Sequence, residues 1–183
     1  PLRVLFQGAY APDRGLLQLI EQMDRVRGRA TLTLQGFGAM EGELREAVAD
    51  AGLADVVRFV APCDPSEVVA DAQGYDVGVI AYPLTTLNLR LSTPNKLFDY
   101  LGAGLAILTV DAPAIRRVVA DSGCAAFVDS DQLDRVWNTI LELVASPARV
   151  AEMKAASHVL CAALTWDEQI QPLLSWLDGD TDA

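Results

Sequence analysis

The densest run of chemically useful side chains is Ser92-Thr93-Pro94-Asn95-Lys96-Leu97-Phe98-Asp99-Tyr100-Leu101-Gly102-Ala103-Gly104. Ser92 or Thr93 is suited to cap a helix, and Pro94 falls where proline is tolerated, in the first helical turn. The first backbone N–H groups of such a helix have no internal acceptor, and the helix dipole places roughly half a positive charge there. With Thr93, Asn95 and Lys96 in one turn, this end can receive a phosphate. Asp99, one turn further on, can accept hydrogen bonds from neighbouring hydroxyls such as a ribose diol. The same letters also fit a capped surface helix whose lysine and aspartate are simply solvated.

Two further segments can serve the same chemistry. In Gly8-Ala9-Tyr10-Ala11-Pro12-Asp13-Arg14-Gly15, Gly8 ends a strand-like run and Arg14-Gly15 opens a helical one. Arg14 can then reach the strand ends and grip phosphate oxygens in a bidentate way, although it also fits an ordinary surface arginine. Gly36-Phe37-Gly38 is a glycine turn after a second strand-like run, allowing close approach of backbone and ligand at Gly36 and Gly38. It carries only two glycines of a dinucleotide fingerprint, which is weak by itself.

The elements that must position these residues alternate along the whole chain. Strands are expected over residues 3–7, 30–35, 56–60, 77–81, 106–110 and 125–128. Helices are expected over 13–26, 40–51, 65–73, 93–103, 113–120, 133–144, 149–163 and 168–177, with a loop from 82 to 92. The run Val77-Gly78-Val79-Ile80-Ala81 is nearly continuous in apolar character, as parallel strands covered on both faces must be. The pattern predicts an α/β fold: a doubly wound, Rossmann-like parallel sheet of about six strands with helices on both faces. Ligands of such sheets bind at the strand C-terminal ends, where all three segments fall.

Composition narrows the function classes. The 183 residues suit a single domain over residues 1–177, with a disordered tail over 178–183. The formal net charge of −11 argues against nucleic acid as a partner, because phosphate backbones need a basic face. No apolar run reaches the roughly 18 residues needed to cross a bilayer, and no leader pattern is visible, so a cytoplasmic protein is expected. Cys63, Cys124 and Cys161 have neither metal-ligand nor disulfide spacing and read as small buried hydrophobes. No metal site is legible. His158, the single histidine, is expected on the surface far from the strand ends, and Trp137, Trp166 and Trp176 in the core or an interface.

Taken in order, Arg14-Gly15-Leu16 with Leu19-Ile20, Leu34-Gln35-Gly36-Phe37-Gly38, Val57-Arg58-Phe59, Tyr75-Asp76-Val77-Gly78-Val79-Ile80, and residues 93–104 resemble one known family. They look like the C-terminal, donor-binding domain of GT-B glycosyltransferases, closest to the large retaining family 4. The likeness covers about residues 3–145. It implies an enzyme that moves a sugar from a nucleoside-diphosphate sugar to an acceptor, with retention, and needs no cofactor beyond that donor. The catalytic residues stay unknown. Arg14 matches the family's basic residue on the diphosphate, and Asp99 matches the second glutamate of its E-x7-E motif, which binds the ribose hydroxyls. The base would lie near residues 60–63 and the sugar near residues 82–96.

The first glutamate of that motif falls on Leu91, and the basic residue often found after the strand glycine is Ala9. The family's N-terminal domain, which holds the acceptor and would make any membrane contact, is missing from this chain, so the chain alone is expected to be inactive. Alternatives are a non-catalytic nucleotide-binding or assembly module of the same fold and, less favoured with one histidine, a nucleotide-sugar epimerase fragment. A receiver-like domain would need an acidic cluster at the strand ends, which Asp76 and Asp111 do not assemble.

Overall fold

The computed structural model describes residues 1–119, 121–129 and 132–179. Six apolar runs become strands: β1 (Leu2–Gln7), β2 (Ala30–Gln35), β3 (Val57–Val60), β4 (Val77–Ile80), β5 (Ala106–Val110) and β6 (Ala125–Val128). They form one sheet in the order β3-β2-β1-β4-β5-β6, every neighbour parallel. The expected doubly wound sheet is therefore present. Every residue of β4 and β5 is buried, which is why those segments carry no polar alternation. Strand order reverses between β1 and β4, and the chain leaves those two strands in opposite directions. A crevice opens where that happens.

The helices are α1 (Leu16–Glu21), α2 (Glu41–Asp50), α3 (Val68–Ala72), α4 (Leu87–Leu91), α5 (Asn95–Gly102), α6 (Pro113–Val119), α7 (Val136–Ala145), α8 (Pro147–Ala163) and α9 (Trp166–Leu177). α5 carries three of the candidate site residues, Asn95, Lys96 and Asp99. Its Leu97, Tyr100 and Leu101 are buried, each such side chain contributing about 1.5–3 kcal/mol by leaving water. The Tyr100 ring fills the space beside Gly78, where a Cβ would stand 2.3 Å from the ring. Its hydroxyl accepts from the Gln7 backbone N–H at 2.9 Å and faces the Leu5 carbonyl at 3.4 Å. One tyrosine thus ties the helix to the end of β1.

Several local expectations change. The helix expected over 13–26 is broken into a 3-10 turn (Pro12–Arg14), α1 and a second 3-10 turn (Met23–Val26), because Gly15 takes the left-handed conformation with φ 66°. The loop expected over 82–92 contains α4, capped by the Thr86 hydroxyl, which accepts from the Leu89 N–H at 3.2 Å. The expected cap at Ser92 or Thr93 is not formed. Pro94 is itself the N-cap residue, extended at ψ 141°, and α5 begins at Asn95. A proline also holds the residue before it extended, which postpones the helix. Trp137 is fully buried and its Nε1 donates to the Leu19 carbonyl at 2.8 Å, whereas Trp166 and Trp176 are exposed on α9, a helix with no buried residue. Of the tail, residues 180–183 lie outside the described residues.

Candidate functional site

A cleft of about 340 Å³ opens at the strand C-terminal ends, at the reversal between β1 and β4. Its wall includes Gln7 at the end of β1 with Gly8 and Ala9, Gln35 at the end of β2 with Gly36 and Phe37, Pro62 and Cys63 after β3, and Asn95, Lys96 and Asp99 from α5. Backbone hydrogen bonds lace these loops together. Gly8 N–H donates to the Gln35 carbonyl (3.0 Å), Tyr10 N–H to the Phe37 carbonyl (2.9 Å) and Gly36 N–H to the Val60 carbonyl (3.1 Å).

Of the residues expected from the sequence, Gly8, Gly36, Asn95, Lys96 and Asp99 meet in this wall. Arg14 stands beside it. Gly15 lies against the end of β4, where a Cβ would come 2.3 Å from the Ala81 carbonyl oxygen. This holds the neighbouring guanidinium close enough to act on both Tyr82 and Lys96. Arg14 is also paired with Asp13 at 2.9 Å. Thr93 and Gly38 are outside the wall. Gly38 is needed for packing instead: a Cβ there would meet the Tyr10 carbonyl oxygen at 2.4 Å, and at Gly36 it would meet the Gly8 carbonyl oxygen at 2.0 Å. The two glycines let the first two loops press together.

Lys96 sets the electrostatics. Its ammonium sits 3.7 Å from the centre of the Phe6 ring and has no carboxylate within salt-bridge distance among the described residues. Gly8 makes room for it, since a Cβ would stand 3.3 Å from Nζ. Burial, with the Arg14 cation adding repulsion, pushes the Lys96 pKa down to about 7, and the Asp99 carboxylate only partly offsets this. Burial in turn raises the Asp99 pKa, against the pull of Lys96. The amides of Asn95 and Lys96, in the first turn of α5, have no intrahelical acceptor. Two cations and the first amides of α5 therefore lie close together, and of the two cations only Arg14 has a carboxylate within salt-bridge distance among the described residues. The wall also has an apolar part: Phe37, 65% exposed, with Pro62, Cys63 and Val68.

Sequence reasoning passed over Gln7 and Gln35, both buried in this wall. A signal was available: each is the polar last residue of an apolar strand, and each precedes a glycine. Leu91, at the expected position of a glutamate, ends α4 and is 62% exposed, away from the cleft. Among the described residues no three His, Cys, Asp or Glu side chains group as metal ligands, and no helix is long and apolar enough to cross a membrane.

The family sequence model described as "Glycosyl transferases group 1" matches residues 1–146. A GDP-mannose-dependent alpha-(1-6)-phosphatidylinositol monomannoside mannosyltransferase of Mycobacterium tuberculosis is 27% identical over 186 residues, covering 94% of this chain and 46% of that protein. The chain thus spans about half the length of this relative. Among solved structures, HepE of Anabaena in complex with UDP superposes with a TM-score of 0.80 at 14% identity, covering 95% of this chain and 48% of HepE. The C-terminal domain of the group 1 glycosyl transferase LpcC from Francisella tularensis gives 0.74 at 15% identity, over 89% of this chain and 85% of that domain.

Proposed function

The chain belongs to the group 1 glycosyl transferases, and from that premise we propose that it is the donor-binding half of a glycosyltransferase, holding a nucleoside-diphosphate sugar in the cleft at the strand ends. The observation that carries this reading is the Lys96 ammonium, with no carboxylate within salt-bridge distance among the described residues, near Arg14 and the free amides that open α5. A diphosphate supplies the missing anion. A nucleoside suits the apolar part of the same wall, and Asp99, half-buried in that wall, is the residue we assign to the ribose diol. HepE was solved with UDP and the mycobacterial relative depends on GDP-mannose, so the assignment stops at the nucleoside-diphosphate class.

In the reaction, the bond between the sugar's anomeric carbon and the diphosphate oxygen breaks, and an acceptor oxygen takes its place on that carbon. Negative charge grows on the departing diphosphate. Lys96, Arg14 and the first amides of α5 are aimed where that charge appears, which lowers the barrier by electrostatic stabilisation of the leaving group. Retention of anomeric configuration follows from the likeness to the retaining family. The acceptor is held by a second domain, and the exposed apolar face of α9, with Trp166 and Trp176, is suited to be covered by it.

Calorimetric titration with UDP and GDP tests the assignment. Arg14→Ala and Lys96→Ala each weaken binding by about tenfold or more, as expected for loss of a charge-assisted contact. Unchanged affinity in both variants removes the assignment.

A further inference from the structure

Lys96 lines the cleft wall and keeps part of its surface exposed, so a ligand can reach it. Its ammonium sits over the turn that ends β1: the centre of the Phe6 ring is 3.7 Å away, and a Cβ on Gly8 would stand 3.3 Å from Nζ. No carboxylate comes within salt-bridge distance of it among the described residues.

The groups that face Lys96 come from several elements. The turn after β1 brings Arg14, a cation already paired with Asp13 at 2.9 Å. α5 itself brings Asp99, one turn on, and its first amides, whose N–H groups add positive potential. Beyond β4, Tyr82 lies near Arg14, and burial raises its pKa and keeps the hydroxyl neutral. The cleft wall adds the Cys63 thiol. Burial and Arg14 oppose the ammonium, the Phe6 ring and Asp99 favour it, and the opposition wins: the Lys96 pKa falls to about 7. At pH 8 the empty site therefore holds mostly the neutral amine.

We propose that a diphosphate entering the cleft draws a proton from solution onto Lys96, so that donor and nucleotide product arrive with uptake of a proton and leave with its release. This rests on the donor-binding reading of the cleft and deepens it. The lone pair on Nζ forms the new N–H bond, the proton comes from water or buffer, and no other bond changes. An anion within about 4–6 Å favours the charged form of an amine by roughly tenfold to a thousandfold in its protonation equilibrium. The occupied site then holds an ammonium where the empty one holds an amine. Arg14 cannot act this way, because a guanidinium keeps its proton throughout the working pH range. The cleft thus carries one permanent cation and one that forms when there is an anion to match it.

The sequence contains two lysines, Lys96 and Lys154, which makes the proposal directly readable. The chain labelled with ¹³C at lysine gives two Cε signals whose positions distinguish ammonium from amine. Lys154, which donates to the Tyr75 carbonyl at 3.0 Å, is the internal reference. Lys96→Arg removes one signal and assigns both; Lys154→Arg assigns them should the first variant not fold. At pH 8 the Lys96 signal should read amine in the free chain and ammonium with saturating UDP or GDP, whose diphosphates are already ionised at that pH. Calorimetry at pH 8 in buffers of different ionisation enthalpy should show uptake of about 0.8 proton per nucleotide, from a site about one-tenth protonated when empty. From pH 7.5 to pH 8.5 the affinity of the unaltered chain should fall about sixfold. Lys96→Arg should bind without uptake and hold its affinity over the same step. A Lys96 signal already at ammonium in the free chain, one that stays at amine in the saturated complex, or uptake that persists in Lys96→Arg, as it would with Cys63 as the source, overturns the inference and leaves the donor site standing. If the unaltered chain binds neither UDP nor GDP, the donor-site reading falls and the inference falls with it.

Discussion

At the strand-start edge of the sheet, Asp76 accepts from the Arg3 backbone N–H at 2.9 Å, from Nε at 3.1 Å and from Nη2 at 2.9 Å, with the Lys154 ammonium 3.7 Å away. At the strand-end edge, Lys96 faces an aromatic ring and lies near a second cation, and Gln7 Oε1 is buried with no hydrogen-bond partner among the described residues. Both edges bring charged groups together near the ends of β1 and β4. At the first edge, burial works against the Asp76 carboxylate, but the Arg3 hydrogen bonds outweigh it and hold its pKa below the usual value. At the second, burial wins, and the lysine's charge is resisted. Polar groups at the start of the strands complete one another and stabilise the fold. Those at the end are left without partners among the described residues, and on the proposed donor-binding reading the lysine there trades stability for function.

The contrast breaks most readily at its two charged centres. Asp76→Ala should lower the free energy of unfolding by about 1–2 kcal/mol, the range for charge-assisted hydrogen bonds discounted for the exposure of Arg3, with nucleotide affinity unchanged. Lys96→Ala should leave the urea midpoint unchanged or raise it, because it removes a buried ammonium that the fold does not pair. A loss of stability in the Lys96 variant matching that in the Asp76 variant would erase the difference between the edges.

The pH dependence sharpens the same contrast. The Lys96 pKa in the folded protein, about 7, lies below its ordinary 10.5. Between those values the unfolded chain keeps a proton that the folded chain has released, so stability contributed at this site rises with pH across that window. If the proposed site holds a diphosphate, its binding should run the other way and weaken above about pH 7 as the ammonium is lost. Asp76 has the opposite sign: its contribution is present above its ordinary pKa of 3.8 and is lost as pH falls through the lower folded value. Urea titrations at pH 7 and pH 9 on the unaltered chain and on Lys96→Ala should show the alkaline rise only in the former.

Within the cleft, Phe37→Ala gives the smallest expected effect. The ring is 65% exposed, so the melting temperature should not move, while stacking on a base predicts about a fivefold loss of nucleoside diphosphate affinity with pyrophosphate unaffected. Equal loss of both ligands in calorimetry would mean that the ring packs the loop and does not meet a base.

How much of this was readable before folding differs from element to element. β2, β5 and β6 have the bounds expected from their apolar runs, since a strand buried on both faces needs only a local stretch of apolar residues. α4 was hidden inside a loop because five residues carry too little periodicity to announce a helix. The start of α5 moved to Asn95 because proline chemistry and capping preference pointed to neighbouring positions and the backbone satisfied the former. Lys96, Asp99, Gly8 and Gly36 were legible as site candidates from their place at strand and helix ends, while Arg14, also legible, came to lie beside the wall.

The hydrogen-bonded chain in which Gln7 Nε2 donates to Gln35 Oε1 and Gln35 Nε2 to Asp71 was not. Gln7 and Gln35 are 28 residues apart, and Gln35 and Asp71 are 36 apart. Each alone is an ordinary polar residue ending a strand or facing solvent on a helix. Amino-acid order determined which segments become strands and helices, because burial of a continuous run or of one helical face is a property of neighbours along the chain. The assembled sheet decided which amide faces which carboxylate, because hydrogen-bond polarity depends on partners that meet only across the register of β1 and β2.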